Sequence, residues 1–437
     1  MSGTSTQVQL LARGRLADLD PATLARLLDR KPSDDTEVAT AVARMLADVR
    51  ARGDAALRDL AQRFDGVRLD QLEVPRRAWA EAAASLDPQV RAGLERAAEN
   101  IRRFHEAQRP TDVTLEVEPG VRITRTWAAL ERVGVYAPGG RAAYPSSVLM
   151  GAVPARAAGV REVIVCSPPG PDGAPPREVL AACAIGGADR LFALGGAGAV
   201  AALAFGTESV PRVDAVVGPG NRWVTEAKRQ VAGDVMIDSP AGPSEVLVLA
   251  DGSADARLVV LEMMAQAEHD PDAACVLVTT SEGLVAAVEV ALAAELDTAP
   301  RGDICRQALA TSGGVFVAAS MDEAVGFTNR YAPEHLSVMA AGAAELARRV
   351  RTAGTTFVGP AASVAFGDYM TGANHVLPTA GRARSFSGLS TLNYLRSFTI
   401  QEITSTGAAA MSEDVARLAE AERLPAHAAA ARARRVP

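Results

Sequence analysis

Side chains able to carry chemistry are concentrated in the segment MAQAEHDPDA, residues 264–273. The segment reads as the last turns of a helix that Pro271 interrupts. Gln266 and His269 are three residues apart, so on a helix they share one face and could bind a single ligand. The alternative interpretation is a polar helix end with a solvated glutamine, and the rest of the chain has to decide between the two.

Four of the five histidines have an amide or carboxylate neighbour in the second half of the chain. These neighbours are Gln266 for His269, Glu334 for His335, Asp368 for His375 and Glu422 for His427. A neutral imidazole is a metal ligand, and its pKa near neutrality also suits acid–base work. With Asp368 the set offers nitrogen and oxygen donors without thiolate, which suits Zn²⁺, or Mn²⁺ or Co²⁺ at higher coordination number. The remaining histidine, His105, is expected to be an ordinary helix-end residue.

Composition excludes several classes of protein. The net charge of −7 argues against nucleic acid as the main partner, because no basic surplus is available to neutralise phosphates. The chain has two lysines and no P-loop motif, which argues against Schiff-base enzymes and P-loop nucleotidases. No signal peptide or apolar run of membrane-spanning length is present, so a cytoplasmic enzyme is expected. The four cysteines are widely spaced, and Cys166 and Cys275 lie in apolar, strand-like runs typical of buried, inert thiols.

The elements that position these residues follow from the hydrophobic patterns. A length of 437 residues implies two or three domains. The first 30 residues read as a helical arm, and residues 113–127 suggest a hairpin around Pro119 and Gly120. Short β-branched runs then alternate with Ala-rich helical stretches over residues 136–244 and 245–389, which is typical of parallel sheets. After Leu389 the strand signal fades into two short helices, the first capped by Ser412 and the second beginning at Pro425.

Three glycine-containing turns each follow a strand run and precede a helical one. They are VYAPGG (135–140), LGGAGA (194–199) and VGPGN (217–221). In an open α/β sheet such turns lie at the carboxyl ends of strands, where a phosphate can approach backbone N–H groups. Plain βα turns are the alternative, since none of the three is a GxGxxG fingerprint. Tyr136 and Asn221 are the polar residues to examine at these turns.

Several long motifs resemble the histidinol dehydrogenase family, in the same order and over nearly the whole chain, from about residue 35 to His427. The motifs that carry the resemblance are VGPGN with the following VTEAKRQV, AGPSEVLVLAD, QAEHDPDA, YAPEHLSV and GDYMTGANHVLPTAGRARSFSGLS. The resemblance implies an enzyme that oxidises L-histidinol through L-histidinal to L-histidine with NAD, as a homodimer with one Zn²⁺ in each active site. One turn departs from the family pattern, because GGAGA places Gly198 where the family commonly has a cofactor-contacting glutamine.

The resemblance also implies a role for each matching residue. The metal ligands would be Gln266, His269 and Asp368 of one subunit and His427 of the other, with Glu334 and His335 as the acid–base pair. Substrate would contact the metal ligands, His335, and also Ser244, His375 and Glu422, whereas NAD would contact Tyr136 and Asn221. Because adjacent strand residues point to opposite faces, Glu334 and His335 can serve one site only if the chain bends at Pro333.

The expected architecture is α/β, with two Rossmann-like parallel-sheet domains and small helical domains at each end. The predicted parts are a helical arm (1–30), a domain carrying the metal and catalytic residues (31–135 with 245–389), an NAD-binding domain (136–244) and a partner-docking tail (390–437). Three alternatives remain open: a zinc hydrolase with Glu334 as the base, a non-catalytic amino-acid-binding protein, and aldehyde oxidation through a cysteine thiohemiacetal.

Overall fold

A computed structural model describes residues 8–30, 36–139 and 143–435 of the chain. Its strands are β1 (Ala12–Arg15), β2 (Val113–Glu118), β3 (Val121–Ala129), β4 (Arg132–Tyr136), β5 (Glu162–Ser167), β6 (Arg190–Ala193), β7 (Ala215–Val217), β8 (Met236–Ile237), β9 (Glu245–Ala250), β10 (Ala274–Thr279), β11 (Gly313–Val317), β12 (His335–Met339), β13 (Thr355–Val358) and β14 (Leu395–Ile403). Its α-helices are α1 (Pro21–Leu28), α2 (Thr36–Arg52), α3 (Asp54–Leu60), α4 (Arg76–Ser85), α5 (Pro88–Glu106), α6 (Pro145–Ala158), α7 (Arg177–Gly186), α8 (Gly196–Phe205), α9 (Arg222–Val231), α10 (Ala256–Ala267), α11 (Glu282–Thr298), α12 (Gly302–Ser312), α13 (Met321–Tyr331), α14 (Ala343–Arg349), α15 (Val364–Tyr369), α16 (Ser405–Ala421) and α17 (Pro425–Arg432).

Two parallel sheets form the centre of the molecule, as the alternating strand and helix patterns predict. One has five strands in the order β6-β5-β4-β7-β8, and the other has six in the order β1-β11-β10-β9-β12-β13. All residues of β9, β10 and β12 are buried, because helices cover both faces of the six-stranded sheet. The α/β fold class is confirmed. Among the described residues, no helix combines the length and apolar character needed to span a membrane.

The N-terminal segment does not form the helical arm expected for residues 1–30. Its residues from 8 onward include β1, which pairs in parallel with β11 at the edge of the six-stranded sheet, before α1 begins. The sequence ARGR gives no strand signal, because an edge strand with three exposed residues shows no alternating burial. Backbone pairing with β11 therefore determines this strand. Residues 1–7 of the expected arm lie outside the described part of the chain.

The helices within residues 36–106 pack on the five-stranded half of the molecule, and β4 lies in its sheet, which corrects the expectation that these residues join residues 245–389. Helix α2 buries its apolar face against α8 and α9, α4 against α7, and α5 against α6. Strand β4 is the central strand of the five-stranded sheet. The segment after α15 also returns to this half, since Val376, Leu389 and Tyr394 share its core. Short-range pattern could not reveal these assignments, because an amphipathic face shows that a helix is buried and not which sheet covers it.

The C-terminal segment contains a strand that the sequence did not indicate. β14 pairs antiparallel with β3, which pairs with β2, so the predicted hairpin around Pro119 and Gly120 is confirmed and extended to three strands. Eight of the nine residues of β14 are exposed, which hides the alternation that reveals half-buried strands. The following helix begins at Ser405 with Thr404 as its cap, so Ser412 lies inside it, whereas the expected start at Pro425 is confirmed.

Candidate active site

The backbone bends where Glu334 and His335 meet the six-stranded sheet. Helix α13 ends at Tyr331; the next residue, Ala332, has a φ of 51° in the left-handed region, and Pro333 follows. His335 is then the first residue of β12. The bend brings both side chains to one point, with Glu334 Oε2 3.4 Å from His335 Nδ1. The predicted irregular turn at APEH is therefore confirmed.

The backbone of the neighbouring strand β9 holds this pair. The amide of Glu245 donates to Glu334 Oε2 over 2.7 Å, and the carbonyl oxygen of Glu245 lies 3.0 Å from His335 Nδ1. A carbonyl oxygen only accepts, so Nδ1 carries the hydrogen and donates it. The Nε2 atom is buried, forms no hydrogen bond, and lies 3.8 Å from Asp368 Oδ1. In the neutral ring Nε2 is therefore the free base, directed toward Asp368.

Burial and charge act in opposite senses on the pair. Burial disfavours the imidazolium form of His335, but the carboxylates of Glu334 and Asp368 outweigh it and raise the pKa of His335 to about 9. Burial is also the main cause of the raised pKa of Glu334, and His335 partly offsets it. Such opposed environments are typical of groups that exchange protons during catalysis.

Gln266 and His269 lie at the end of α10 and just beyond it. Gln266 is in the last turn of the helix, whereas His269 follows the cap residue Glu268, so the expectation that both lie on the helix holds for Gln266 alone. One further turn, in which the His269 amide donates to the Gln266 carbonyl over 3.2 Å, keeps the two residues near each other. Gln266 is 2% exposed, and its Oε1 has no hydrogen-bond partner. Leaving such an acceptor unsatisfied costs about 1–3 kcal/mol, so the atom marks a place for a ligand.

Asp368 and His375 complete this cluster. Asp368 lies on the short helix α15, and its backbone carbonyl accepts from His375 Nδ1 over 3.1 Å. Burial lowers the pKa of His375; the carboxylate of Asp368 opposes this, and the nearby His335 and His269 rings reinforce it. His335 and His375 therefore both lie next to Asp368, and the His269 ring is near enough to His375 to affect its pKa. Ser244 is half-buried at the start of β9, one residue before Glu245.

The donor set of this cluster fits a metal ion. Gln266 Oε1, the imidazole of His269 and the carboxylate of Asp368 are nitrogen and oxygen donors of the kinds that Zn²⁺ accepts, and the first of them has no protein partner. Within residues 8–30, 36–139 and 143–435, no three His, Cys, Asp or Glu side chains form a metal-binding group by themselves. A four-coordinate ion would therefore need a donor from outside this cluster.

Glu422 and His427 are not brought to the cluster by the fold of one chain. Both are exposed, Glu422 at the end of α16 and His427 on α17, and α17 packs on α16 through a small alanine cluster. In the described part of the chain, no hydrogen bond or ion pair joins either side chain to Gln266, His269 or Asp368. Their predicted roles at the site of a partner subunit stay predictions.

The glycine turns lie at the carboxyl edge of the five-stranded sheet, as predicted. They follow β4, β6 and β7, although Gly140 is outside the described residues. The buried hydroxyl of Tyr136 accepts from the Gly196 amide over 3.2 Å, and burial raises the pKa of Tyr136 to about 12. The side-chain oxygen Oδ1 of Asn221 caps α9 by accepting from the backbone amides of Trp223 and Val224. This leaves the side-chain nitrogen Nδ2 for a ligand.

A buried ion pair that was not expected from the sequence holds the VGPGN turn (217–221) in place through Gly218. Lys228, 3% exposed, pairs with Asp238, 4% exposed. Lys228 Nζ donates to the Gly218 carbonyl over 2.9 Å, and Asp238 Oδ2 accepts from the Gly218 amide over 2.8 Å. The φ of Gly218 is 114°, and a Cβ there would lie 2.1 Å from the Tyr136 carbonyl oxygen. The signal available in the sequence was a lysine, rare in this chain, on the helix directly after a glycine turn.

Gly198 faces the N-terminal helices rather than open space. A Cβ at this position would lie 2.9 Å from Leu60 Cδ1, so the glycine lets α3 pack closely on α8. A longer side chain here would have to displace Leu60. This contact gives a physical reason for glycine at the position where the sequence departs from the family pattern.

Two further buried carboxylates support the cluster and were also missed. Glu262, one turn before Gln266 on α10, accepts from the Val364 amide at the start of α15 over 3.0 Å and so joins the helices that carry Gln266 and Asp368. Glu245 forms a buried ion pair with Arg30. The signal for Glu262 was its spacing of four residues from Gln266, whereas no local signal connects residues 30 and 245.

The cysteines have no part in this site. All four are free and buried, and burial raises the pKa of Cys166 and Cys275 far above the usual range of a thiol. The predicted inert thiols are confirmed. A thiohemiacetal route through these residues has no support in the structure.

Comparisons with known proteins agree with the resemblance in the sequence motifs. The family model described as histidinol dehydrogenase matches residues 28–435. Histidinol dehydrogenase of Methanosarcina mazei is 47% identical over 421 residues, covering 96% of this chain and 97% of that protein. That of Streptomyces avermitilis is 46% identical, covering 93% of this chain and 94% of that protein. The crystal structure of histidinol dehydrogenase from Elizabethkingia anophelis is similar with a TM-score of 0.92 and 32% identity, covering 97% of this chain and 98% of that one.

Proposed function

The chain belongs to the histidinol dehydrogenase family, and we propose that it uses NAD and Zn²⁺ to oxidise L-histidinol through L-histidinal to L-histidine, the last step of histidine biosynthesis. The observation that carries this proposal is the buried Glu334–His335 pair, whose Nε2 atom is directed toward Asp368. Helix α15, which carries Asp368, is joined by Glu262 to the helix that carries the unsatisfied Oε1 atom of Gln266. A proton-accepting pair near groups that can bind a ligand suits the oxidation of a polar amino alcohol.

We assign the metal to Gln266, His269 and Asp368, with the partner subunit's His427 as the fourth ligand. When bound, Zn²⁺ would hold the imidazole and amino nitrogens of the substrate and so fix its reacting carbon. Holding a substrate in reactive orientation can lower a barrier by up to about 7–11 kcal/mol in the best cases. Ser244, His375 and the partner subunit's Glu422 are assigned to the remaining contacts with substrate.

The first oxidation needs a base for the hydroxyl proton while the hydride leaves carbon for NAD⁺. His335 fits this role, because the Glu245 carbonyl fixes its Nδ1–H and leaves the lone pair of Nε2 facing the cluster. The products are the aldehyde and NADH, with the proton held on His335. Because the carboxylates of Glu334 and Asp368 raise the pKa of His335 to about 9, the neutral ring that can accept this proton is favoured at alkaline pH.

The second oxidation needs water to add to the aldehyde, which gives a diol that can lose another hydride. Glu334 is anchored through Oε2 to the Glu245 amide and is suited to take a proton from that water as it adds to the carbonyl carbon. The protonated His335 gives the proton from the first step to the carbonyl oxygen, which completes the diol and returns the ring to its base form. His335 then accepts the hydroxyl proton of the diol as the second NAD⁺ is reduced. Both steps thus use one pair of side chains held by one strand.

NAD is assigned to the carboxyl edge of the five-stranded sheet, at Tyr136 and Asn221. Backbone amides of glycine turns at helix starts suit the phosphates of a dinucleotide. The loop after β4 and helix α15 are neighbours, as the influence of Tyr144 and Asp368 on the raised pKa of Tyr369 indicates, although burial is its main cause. This proximity supports a position of the cofactor close to the proposed metal ligands. As an enzyme of central metabolism that uses NAD, the protein is assigned to the cytoplasm.

The function is tested by counting NADH. Purified protein with L-histidinol and excess NAD⁺ should release about two NADH for each histidinol consumed, since each of two hydride transfers reduces one NAD⁺. A zinc hydrolase or an amino-acid-binding protein would give no rise in absorbance at 340 nm. Removing the metal with a chelator should abolish turnover and leave the fold intact; full activity in metal-free protein would contradict the assigned role of the ion.

A further inference from the structure

Arg30 connects the N-terminal segment to the strand that holds the catalytic pair. Its side chain is 10% exposed and binds the Glu245 carboxylate through Nε and Nη2, each over 2.9 Å. The Glu245 side chain is 3% exposed and also accepts from the Ala380 amide over 2.7 Å. A two-point Arg–carboxylate contact fixes direction as well as distance. The carboxylate of Glu245 is therefore held in one orientation from both sides.

The same guanidinium binds the residue before the bend at APEH. It lies 3.5 Å above the centre of the Tyr331 ring, and its Nη2 also donates to the Tyr331 carbonyl over 2.9 Å. Tyr331 is the last residue of α13, directly before Ala332 with its positive φ. A fourth bond, from Nη1 to the Leu27 carbonyl over 2.6 Å, ties the group to α1. The guanidinium of Arg30 thus binds both segments that hold the Glu334–His335 pair, namely β9 and the end of α13.

The backbone of Glu245 transmits this anchoring to the reacting groups. Its amide holds Glu334 and its carbonyl holds the Nδ1–H of His335, so a shift of Glu245 moves both side chains and changes the direction of His335 Nε2. Arg30 itself donates four hydrogen bonds to protein groups, and its guanidinium lies against Tyr331. It is therefore placed to act through Glu245 rather than on the substrate.

We propose that Arg30 is a positioning residue of the dehydrogenase, which sets the geometry of Glu334 and His335 through the side chain of Glu245 and the carbonyl of Tyr331. The inference rests on the proposed catalytic roles of Glu334 and His335. A lysine could supply the charge but neither the two-point contact nor the planar group over Tyr331. Geometry, and not charge alone, is what the residue provides.

The test compares Arg30→Gln, Arg30→Lys and the double variant Arg30→Gln with Glu245→Gln. Arg13→Gln is the matched control, because Arg13 lies in the same N-terminal segment and pairs with Glu289 at 3.3 Å on the surface, where both side chains are at least one-third exposed. For each protein the measurements are Tm, bound zinc, and kcat and KM for histidinol with saturating NAD⁺. Wild type is measured first, so that failure of the proposed function is recognised before any variant is judged.

Arg30→Gln should lower kcat by about tenfold to a hundredfold, which is the scale of effect that a displacement of reacting groups by about 1 Å produces. KM and bound zinc should stay near the wild-type values, because Gln266, His269 and Asp368 are untouched. Arg30→Lys should fold with a higher Tm than Arg30→Gln and still lose kcat. If Arg30→Gln does not fold, the kcat of Arg30→Lys alone tests the proposal.

The double variant separates positioning from simple stabilisation. Removing both partners avoids an unpaired buried carboxylate, so its Tm should recover above that of Arg30→Gln. Its kcat should stay low, because the two-point contact is still absent. Recovery of kcat together with Tm would show that Arg30 only stabilises the fold. A folded Arg30→Lys protein with the kcat of Arg13→Gln and wild type would also overturn the proposal.

Discussion

Two buried side-chain atoms without hydrogen-bond partners determine which ligands and protons the proposed site can accept. The Nε2 atom of His335 and the Oε1 atom of Gln266 are both buried without a partner, although most buried polar atoms in proteins are satisfied. The Nδ1 atom of His335, by contrast, is fixed by a backbone carbonyl. The protein thus orients one ring nitrogen with its own backbone and leaves the other nitrogen and the nearby amide oxygen for ligands.

The division of work between Glu334 and His335 predicts unequal effects on the two oxidations. Glu334→Gln keeps the size of the side chain but cannot take a proton from water, so the aldehyde step should slow more than the alcohol step. Stopped-flow measurements of the two NADH-forming phases with histidinol, and with histidinal alone, give both rates. Equal slowing of the two phases would reject the assigned role of Glu334.

The burial of His105 predicts that the stability of the fold depends on pH, through a group that lies outside the proposed active site. It is wholly buried at the end of α5, and burial lowers its pKa to about 4 although Gln108 acts in the opposite sense. The folded state holds the neutral ring, whereas the unfolded chain gains a proton below about pH 6.5. This contribution to stability is therefore complete above about pH 6.5 and is lost as the pH falls toward 4.

His105→Leu removes this titration. Between about pH 7 and pH 5, wild type should lose about 2 kcal/mol more unfolding free energy than the variant. Urea denaturation of both proteins at one concentration measures the difference at each pH. Parallel loss in the two proteins would show that His105 does not contribute to the acid sensitivity.

At the scale of elements, the two sheets contribute opposite edges to the proposed site. The glycine turns follow the carboxyl ends of β4, β6 and β7, whereas Glu245 and His335 begin β9 and β12 at the amino edge of the six-stranded sheet. Helix α10 runs back across that sheet, so Gln266 at its end reaches the same edge. The general preference of ligands for carboxyl edges thus applies to one sheet only.

The buried pair of Lys228 and Asp238 should determine the shape of the turn between β7 and α9. Lys228→Met leaves an unpaired buried carboxylate, so the unfolding free energy should fall by about 3–5 kcal/mol. Adding Asp238→Asn should restore part of that stability. In both folded variants KM for NAD should rise while KM for histidinol changes little. A variant with unchanged KM for NAD would contradict the assignment of this turn to the cofactor.

At the scale of the whole molecule, β14 of the three-stranded sheet leads into α16 and α17, and these elements form one unit with exposed apolar side chains. Val113, Leu115 and Val117 on β2 and Leu418 on α16 are large apolar residues between 48% and 68% exposed. Apolar exposure of this kind is typical of a surface that binds another protein. Since the same unit carries His427, it supports the proposed homodimer with shared sites.

Complementation tests whether sites are shared. Asp368→Ala and His427→Ala should each be inactive alone. Mixed dimers of the two contain one site with the unmodified Asp368 of one subunit and the unmodified His427 of the other. Random subunit exchange should therefore restore about one quarter of wild-type activity, because half of the dimers are mixed and each has one intact site. No recovery after proven exchange would mean that His427 acts within its own subunit.

The amino-acid sequence by itself determined the α/β class, the buried strands and the order of the site residues. These features depend on short-range patterns: apolar runs of β9 and β10, glycines after strands, a proline after α10 and the bend required before His335. Such patterns report on local backbone preference and burial, which are encoded within a few residues. The long family motifs added the proposed roles of those residues.

Tertiary structure alone decided which distant segments meet. β1 and β14 are largely exposed strands without a buried face, so they exist because β11 and β3 offer backbone partners. Arg30 and Glu245 are 215 positions apart, and no local sequence pattern indicates that Arg30 orients the carboxylate of Glu245. The fold also decided that α2, α4 and α5 pack on the five-stranded half of the molecule, because amphipathic helices specify burial but not the surface against which they pack.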